Sequence, residues 1–202
     1  MQLIPLNLSD AQAISRQVAA EPFRNMAAYY RDYHGLYACS AILFNHESPL
    51  RDERYVTQKI VLGLLRLKSQ SGPPLTLRSL DVQRDWGSAQ EYVQAMWKML
   101  QQQKADDFLL ATGVATPVRT FVEMCAQELG FQLAWRVLGS QEEGYDQKTG
   151  QLLLQVPTSA QPQQVQAVRL GDACKAARLL DWKARTQVKD LVEWMVREAS
   201  GS

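Results

Sequence analysis

The stretch Leu36–Lys59, LYACSAILFNHESPLRDERYVTQK, decides the predicted fold. Its apolar run 36–44 is too short for a membrane span and has the length of a buried strand. Four hydrogen-bonding side chains follow this run and are closed off by Pro49; they are Asn45, His46, Glu47 and Ser48. Apolar residues then recur at helical spacing over 54–69. Because ligands bind outside the carboxyl ends of strands in open α/β sheets, this polar loop is the first candidate for a functional site.

The rest of the chain alternates between predicted strands and helices. Further strands are expected at 2–8, 75–77, 108–112, 131–137 and 151–156. Further helices are expected at 9–20, 23–34, 88–103, 116–129, 172–180 and 187–199. Ser88 and Glu91 have the spacing of a capping box, Thr116 is a candidate N-cap, and Gly130 ends a helix. The alternation indicates an α/β fold with a mostly parallel sheet. Segments 138–150 and 157–166 of the chain are expected to be polar loops.

Composition excludes several classes of function. The 202 residues are 46% hydrophobic, enough for one sizeable core in a single domain or a domain with a small subdomain. The net charge is only +1 and the basic residues are scattered, so nucleic acid is not expected as a partner. No segment has the roughly 18 apolar residues of a membrane helix, and the N-terminus lacks the pattern of a signal peptide. We therefore expect a cytoplasmic protein without a membrane partner.

The three cysteines, Cys39, Cys125 and Cys174, lie far apart in the sequence. Their odd number and wide spacing fit neither a disulfide framework nor a metal site. We interpret each as a small buried hydrophobic residue in a reducing compartment.

The NHESP loop carries the clearest binding chemistry. Asn45 and His46 can hydrogen-bond a ligand, and the planar guanidinium groups of Arg51 and Arg54 suit phosphate oxygens. The alternative, a merely solvated loop, stays open. No Asp or Cys stands beside His46 at the spacing of a metal site, so no metal is predicted.

Tyr55 and Lys59 form a Tyr-x-x-x-Lys pattern, which places both side chains on one face of a helix. Four-residue spacings of common residues arise by chance, so Tyr55 is not favoured as a catalytic acid or base, whereas Lys59 is favoured as a ligand-binding cation. Arg84 precedes a predicted helix, where it either meets an anion or forms a surface pair with Asp85, and both alternatives stay open. The acidic pairs 106–107 and 142–143 are expected to be solvated loop charges.

Several segments together resemble the GDP-mannose 4,6-dehydratases, which are extended short-chain dehydrogenases/reductases. The similarity runs from Gly35 to Ala199 and is carried by LYACSAILFNHESPLR (36–51), YVTQKI (55–60), LDVQRDWGSAQEYVQAMWKMLQQ (80–102), DDFLLATG (106–113) and LGDACKAARLLDWK (170–183). The resemblance implies a partial Rossmann-like parallel sheet, without its N-terminal strands, and a small helix-rich C-terminal substrate-binding lobe. Residues 1–70 would be the remnant of an NADP-binding domain, and 71–202 mainly the sugar-nucleotide lobe with interleaved sheet strands.

The family converts GDP-mannose to GDP-4-keto-6-deoxymannose, on the route to GDP-fucose, with NADP removing and returning hydride. By resemblance His46 and Arg51 fall on positions that contact NADP. Asn45, Lys59 and Arg84 fall on positions around the GDP-sugar.

The chain also departs from the family pattern. It contains no glycine-rich turn, and the family's catalytic Thr, Glu, Tyr and Lys find no counterparts, as if a piece were missing near residue 28. A second alignment puts Arg16 and Ala20 on the Tyr and Lys positions, with the same result. Gln58 and Gln161 replace two arginines of the family. We therefore expect a homologue that is not catalytically competent alone. We also expect it to form a homo-oligomer or to pair with an intact dehydratase. The alternative is a non-catalytic module that binds GDP-sugar or pairs with a dehydratase.

Overall fold

The computed structural model describes residues 24–70, 72–157 and 170–201. Its helices are α1 (24–34), α2 (Val56–Ser69), α3 (Ala89–Leu100), α4 (Val118–Glu128), α5 (Cys174–Leu180) and α6 (Val188–Ser200). Its strands are β1 (Ala41–Leu43), β2 (Asn45–Glu47), β3 (Leu75–Thr76), β4 (Gln83–Ser88), β5 (Phe108–Leu110), β6 (Ala115–Pro117), β7 (Leu133–Leu138), β8 (Gln141–Asp146) and β9 (Leu152–Pro157). The strand predicted at 2–8, the helix predicted at 9–20 and nearly all of the 157–166 loop lie outside the described residues.

The strands form three sheets. β1 pairs with β5 in parallel, and β2 pairs with β4 in parallel while β4 pairs with β6 antiparallel. The third sheet has the order β3-β9-β8-β7, in which only the β3–β9 pair is parallel. The α/β class with parallel strand pairs is confirmed, although the antiparallel β7–β8–β9 meander makes the sheets less parallel than predicted.

The central predicted strand is shorter than its apolar run. Residues 36–40 are irregular, and β1 begins only at Ala41. After Phe44, whose backbone N–H donates to the Leu110 carbonyl at 3.0 Å, the chain leaves β5 and pairs with β4. The start of the predicted polar loop is therefore a strand, because the backbone groups of Asn45–Glu47 find their hydrogen-bond partners along β4.

Strand β8 was predicted to be loop because its sequence QEEGYD is polar. It forms a hairpin with β7 around Gly139, whose φ is 59°. Gly144 is required there, since a Cβ would lie 2.9 Å from the Trp135 ring and 3.0 Å from Leu154. The expectation of solvated acidic pairs is also wrong. The ion pairs are Asp106–Lys175 at 2.6 Å, Asp107–Arg31 at 3.0 Å, Glu142–Arg119 at 2.8 Å and Glu143–Arg136 at 2.8 Å.

The predicted helix signals have mixed outcomes. Ser88 is the N-cap of α3, but its side chain makes no capping hydrogen bond. The Glu91 carboxylate instead accepts hydrogen bonds from the backbone N–H groups of Arg185 and Thr186, which ties α3 to the segment before α6. Thr116 lies in β6 and Pro117 occupies the N-cap of α4, so the predicted Thr116 cap is wrong. Gly130 ends α4 with a φ of 83°, as predicted.

Two clusters of buried side chains form the core. The larger cluster packs α2, α4 and α6 against β3 and β9; its fully buried members include Ile60, Leu64, Phe121, Val122, Leu153, Leu154, Leu191 and Met195. The smaller cluster joins α3, α5 and β5 through Tyr92, Ala95, Met99, Phe108, Leu110, Ala176, Leu180 and Trp182. The predicted division into a cofactor-binding remnant (1–70) and a substrate lobe (71–202) stays a prediction. Helix α2, on the first side of this division, packs with α4 and α6 on the second side. Within the described ranges, no helix is long and apolar enough to span a membrane.

The cysteines do not all behave as buried hydrophobic residues. All three are free thiols. Cys125 is fully buried, and burial raises the pKa of its thiol. Cys39 is half-buried and Cys174 is exposed, so the interpretation holds in full for Cys125 and is wrong for Cys174.

Candidate functional site

A cleft of about 420 Å³ opens where β2 and β4 meet the start of α2. It is lined by Asn45, His46, Glu47, Arg51, Tyr55, Val56, Thr57, Arg84 and Trp86. Four of the five residues that the family resemblance places at the ligands therefore share one cleft. The exception is Lys59, whose ammonium donates to the Thr76 carbonyl at 2.8 Å and which does not line the cleft.

Strand register explains how residues about forty positions apart come together. β2 and β4 pair in parallel with Asn45 opposite Trp86 and His46 opposite Gly87. Their carboxyl ends thus share an edge of the sheet, where α2 begins at Val56. The N-terminal end of a helix carries unsatisfied N–H groups and a partial positive charge, so the cleft is suited to anions.

His46 has one ring nitrogen committed to the fold. Its Nδ1 lies 2.9 Å from the carbonyl oxygen of Phe44. Because a carbonyl can only accept, Nδ1 carries the hydrogen, and in the neutral ring Nε2 is then an acceptor. The ring also packs edge-on against Tyr92, with centroids 5.6 Å apart. The neighbouring Asn45 also lines the cleft, and its side-chain amide makes no hydrogen bond to the part of the chain that the structure describes.

The guanidinium carbon of Arg51 lies over the ring of Tyr55, 3.6 Å from the ring centroid. Its Nε is 3.3 Å from Oε2 of Glu47, but Nε has no partner at hydrogen-bonding geometry, so the contact is an ion pair. The predicted role of Arg54 is not supported by its position. Arg54 is exposed outside the cleft and donates two hydrogen bonds to Asp52, at 2.8 and 3.0 Å, which lower the pKa of that carboxyl.

Glu47 is a cleft residue that was not singled out from the sequence. It is only 3% exposed, and its carboxylate accepts a hydrogen bond from the Thr57 hydroxyl at 2.7 Å. Burial raises the pKa of Glu47, against the opposing effects of Thr57, Arg51 and His46. A carboxylate among polar neighbours in sequence gives no signal of burial, because the burial comes from α2 folding back over it.

Arg84 and its neighbour Asp85 point to opposite sides of β4. Arg84 is exposed at the cleft, and its guanidinium donates to the Gln83 carbonyl at 3.0 Å. Asp85 is buried and accepts three hydrogen bonds, from N and Oγ1 of Thr112 at 3.0 and 2.6 Å and from N of Gly113 at 2.9 Å. The surface-pair interpretation of Arg84 and Asp85 is therefore wrong, because Asp85 is buried.

Tyr55 and Lys59 do not act on each other. The Tyr55 ring supports Arg51, and the Lys59 ammonium is engaged with the Thr76 carbonyl. Tyr55 therefore belongs to the site as a stacking surface, which the sequence pattern did not indicate. A second groove of about 410 Å³ is lined by side chains of both charges, including Lys68, Glu128, Glu193 and Arg197. No group of three potential metal ligands exists in the described ranges.

Comparison with known proteins supports the family that the sequence motifs resemble. A family model described as GDP-mannose 4,6 dehydratase matches residues 22–195. GDP-mannose 4,6-dehydratase of Sinorhizobium fredii is 46% identical over 170 residues, which are 84% of this chain and 48% of the relative. The Dictyostelium discoideum enzyme is 41% identical over 168 residues, covering 83% of this chain and 47% of the relative. The chain thus spans about half the length of the curated relatives it matches.

Solved structures confirm the fold at low sequence identity. RMD from Pseudomonas aeruginosa, complexed with NADPH, superposes with a TM-score of 0.68 at 16% identity, covering 89% of this chain and 53% of that chain. dTDP-glucose 4,6-dehydratase from Bacillus anthracis, in complex with NAD, gives a TM-score of 0.66 at 16% identity, covering 99% and 54%. Nicotinamide cofactors are thus bound by both of these proteins.

Proposed function

The chain belongs to the GDP-mannose 4,6-dehydratase family, and from that premise we propose that its cleft binds the phosphate-bearing part of a nucleotide ligand. The observation that carries the proposal is Arg51. Its guanidinium makes no hydrogen bond within residues 24–70, 72–157 and 170–201, yet it is fixed by an ion pair and by a ring. Arginine presents five N–H donors in a planar fork that matches phosphate oxygens.

We assign the predicted contacts as follows. His46 and Arg51 bind NADP, which supplies hydride transfer when bound, and Asn45 and Arg84 bind GDP-mannose. The volume of about 420 Å³ lies within the range of small-molecule sites, and the donors converge from two strands and a loop. Lys59 reaches a ligand only from outside the cleft, and its role is the least supported of the five.

We propose further that the 202-residue chain does not complete the dehydration alone. The Tyr55 and Lys59 side chains are engaged with separate partners, so they do not form a catalytic acid–base pair. Conversion would then need an intact dehydratase to supply the acid–base residues. The second candidate function is a non-catalytic module that binds GDP-sugar or pairs with a dehydratase. The same cleft supports its binding of GDP-sugar, and no turnover is then expected.

The binding proposal is tested by titrating the purified chain with NADP⁺ and with GDP-mannose by calorimetry. Arg51→Ala is expected to weaken NADP⁺ binding roughly 10- to 100-fold, because it removes charge-assisted hydrogen bonds. The matched control is Arg54→Ala, an arginine three positions away that lies outside the cleft, and it should leave the Kd unchanged. Equal losses in the two variants would contradict the assignment of Arg51.

A turnover assay tests whether the chain completes the dehydration alone. The purified chain is incubated with GDP-mannose and NADP⁺, and the 4-keto product is measured. We expect no product from the chain alone, and product in its presence would overturn the claim that it lacks its own acid–base residues. Absence of binding of both ligands at millimolar concentration would contradict both candidate functions.

A further inference from the structure

Among the described residues that line the cleft, Glu47 is the one acid; it is buried, and the proposed ligand contacts do not use it. It accepts a hydrogen bond from Thr57 in the first turn of α2 at 2.7 Å. On the same oxygen, Oε2, it meets Nε of Arg51 at 3.3 Å. Glu47 therefore lies between the start of a helix and the arginine proposed to bind phosphate.

Arg51 is thereby held from two sides. The Glu47 carboxylate lies 3.3 Å from Nε of the guanidinium, and the centroid of the Tyr55 ring lies 3.6 Å from the guanidinium carbon. The Arg51 side chain is 22% exposed, so part of the guanidinium still faces the cleft. An arginine fixed in this way loses less side-chain entropy on binding an anion than a mobile one.

We propose that Glu47 is a positioning residue that fixes the guanidinium of Arg51 across the Tyr55 ring and so prepares it to bind phosphate oxygens. This inference rests on the proposed function of the cleft. It adds a residue that makes no contact with the ligand and acts only through Arg51.

The energetics of Glu47 support a role other than stabilising the fold. Burial raises the pKa of Glu47 more than Thr57, Arg51 and His46 together lower it, so the charged form is disfavoured where it lies. Buried ion pairs often contribute nothing to stability or reduce it. A carboxylate at this position is therefore better explained by the geometry it imposes on Arg51.

The competing explanation is that Glu47 only ties β2 to α2 through Thr57. Glu47→Gln separates the two roles, because an amide oxygen can still accept the Thr57 hydrogen bond while the charge beside Arg51 is lost. Glu53→Gln is the matched control, since it removes the same charge from an exposed position in the same segment.

The first experiment needs no ligand and measures ¹⁵N relaxation of the Arg51 Nε–H group, assigned by its disappearance in Arg51→Lys. In the wild type and in Glu53→Gln we expect an order parameter near that of rigid backbone, about 0.85, and in Glu47→Gln a value below about 0.6. An unchanged order parameter in Glu47→Gln would overturn the proposal. Failure of the chain to bind nucleotides would not affect this measurement, so the two proposals can fail separately.

The second experiment is a double-mutant cycle on NADP⁺ affinity. Glu47→Gln should weaken binding about three- to tenfold, and in an Arg51→Ala background it should have no further effect. If Glu47→Gln weakens NADP⁺ binding equally in the wild-type and in the Arg51→Ala background, Glu47 has a structural role that does not act through Arg51. If Glu47→Gln alone binds NADP⁺ more tightly than wild type, the Glu47 charge only repels the ligand. Either result would overturn the positioning role.

Discussion

Two regions of the described chain, the larger core cluster and the surroundings of α1 and β1, differ in how their apolar side chains are covered. In the larger core cluster, side chains from α2, α4, α6 and the four-stranded sheet are sealed, and Phe121 and Leu153 have no exposed surface. Around α1 and β1, large apolar side chains face outward, with Tyr33 78% and Leu36 54% exposed. β1 pairs with β5 on one edge, and no described strand pairs with its other edge.

The connection of α1 to the rest of the described chain includes several polar contacts. Arg31 bridges to the Asp107 carboxylate and to the Ala38 carbonyl. The Tyr37 hydroxyl lies within hydrogen-bonding distance of two carbonyls at the C-terminal end of α3, those of Met99 and Gln102. The cleft, in contrast, rests on the sealed side through Trp86, which packs on Phe121. The proposed binding residues are therefore built on the well-packed region, where packing fixes their positions, and not on the region around α1 and β1.

The largest expected effect comes from opening the sealed core. Phe121→Ala should lower the free energy of unfolding by about 3–5 kcal/mol, because it leaves a cavity against Trp86. Tyr33→Ala, an aromatic truncation at the exposed end, should change it by less than about 0.5 kcal/mol. Urea denaturation of both variants measures the difference. Equal losses of unfolding free energy in the two variants would contradict the distinction between the sealed and the exposed region.

The next effect concerns the buried carboxylate of β4. Asp85→Asn should lower the free energy of unfolding by about 1–3 kcal/mol, since an amide cannot accept all the hydrogen bonds from Thr112 and Gly113. Asp81→Asn, at an 87% exposed side chain, is the control and should change it by less than about 0.5 kcal/mol. If Asp85→Asn is as stable as wild type, the loop after β5 is not held by this carboxylate.

The smallest expected effect is a change in pH dependence. Burial raises the pKa of Glu47 above its ordinary value of 4.5, so the folded state holds this proton to higher pH than the unfolded state. The contribution of Glu47 to wild-type stability therefore falls as pH rises from the ordinary carboxyl pKa through the raised folded one. Glu47→Gln lacks this loss, so its stability relative to wild type should increase over the same pH window. A relative stability that is independent of pH, measured by urea denaturation between pH 3 and 8, would contradict the direction of this shift.

How much the sequence predicts depends on how local each signal is. Helix α2 and the end at Gly130 are set by periodicity and by one backbone conformation, and both are confirmed. Strand β8 is polar and is recognised only through its pairing with β7 and β9, so no local pattern indicates it. The same holds for the site. Asn45 and His46 follow from their place at a strand end, whereas the burial of Asp85 depends on Thr112, 27 positions away.

The central claim, that the cleft between β2, β4 and α2 is the nucleotide site, is tested most directly by hydrogen exchange with and without saturating NADP⁺ and GDP-mannose. We predict slower exchange of backbone amides in segments 45–57 and 84–86, and no change in α6 beside the second groove. Protection confined to α6 and the Lys68 region, or no protection anywhere at millimolar ligand, would contradict it.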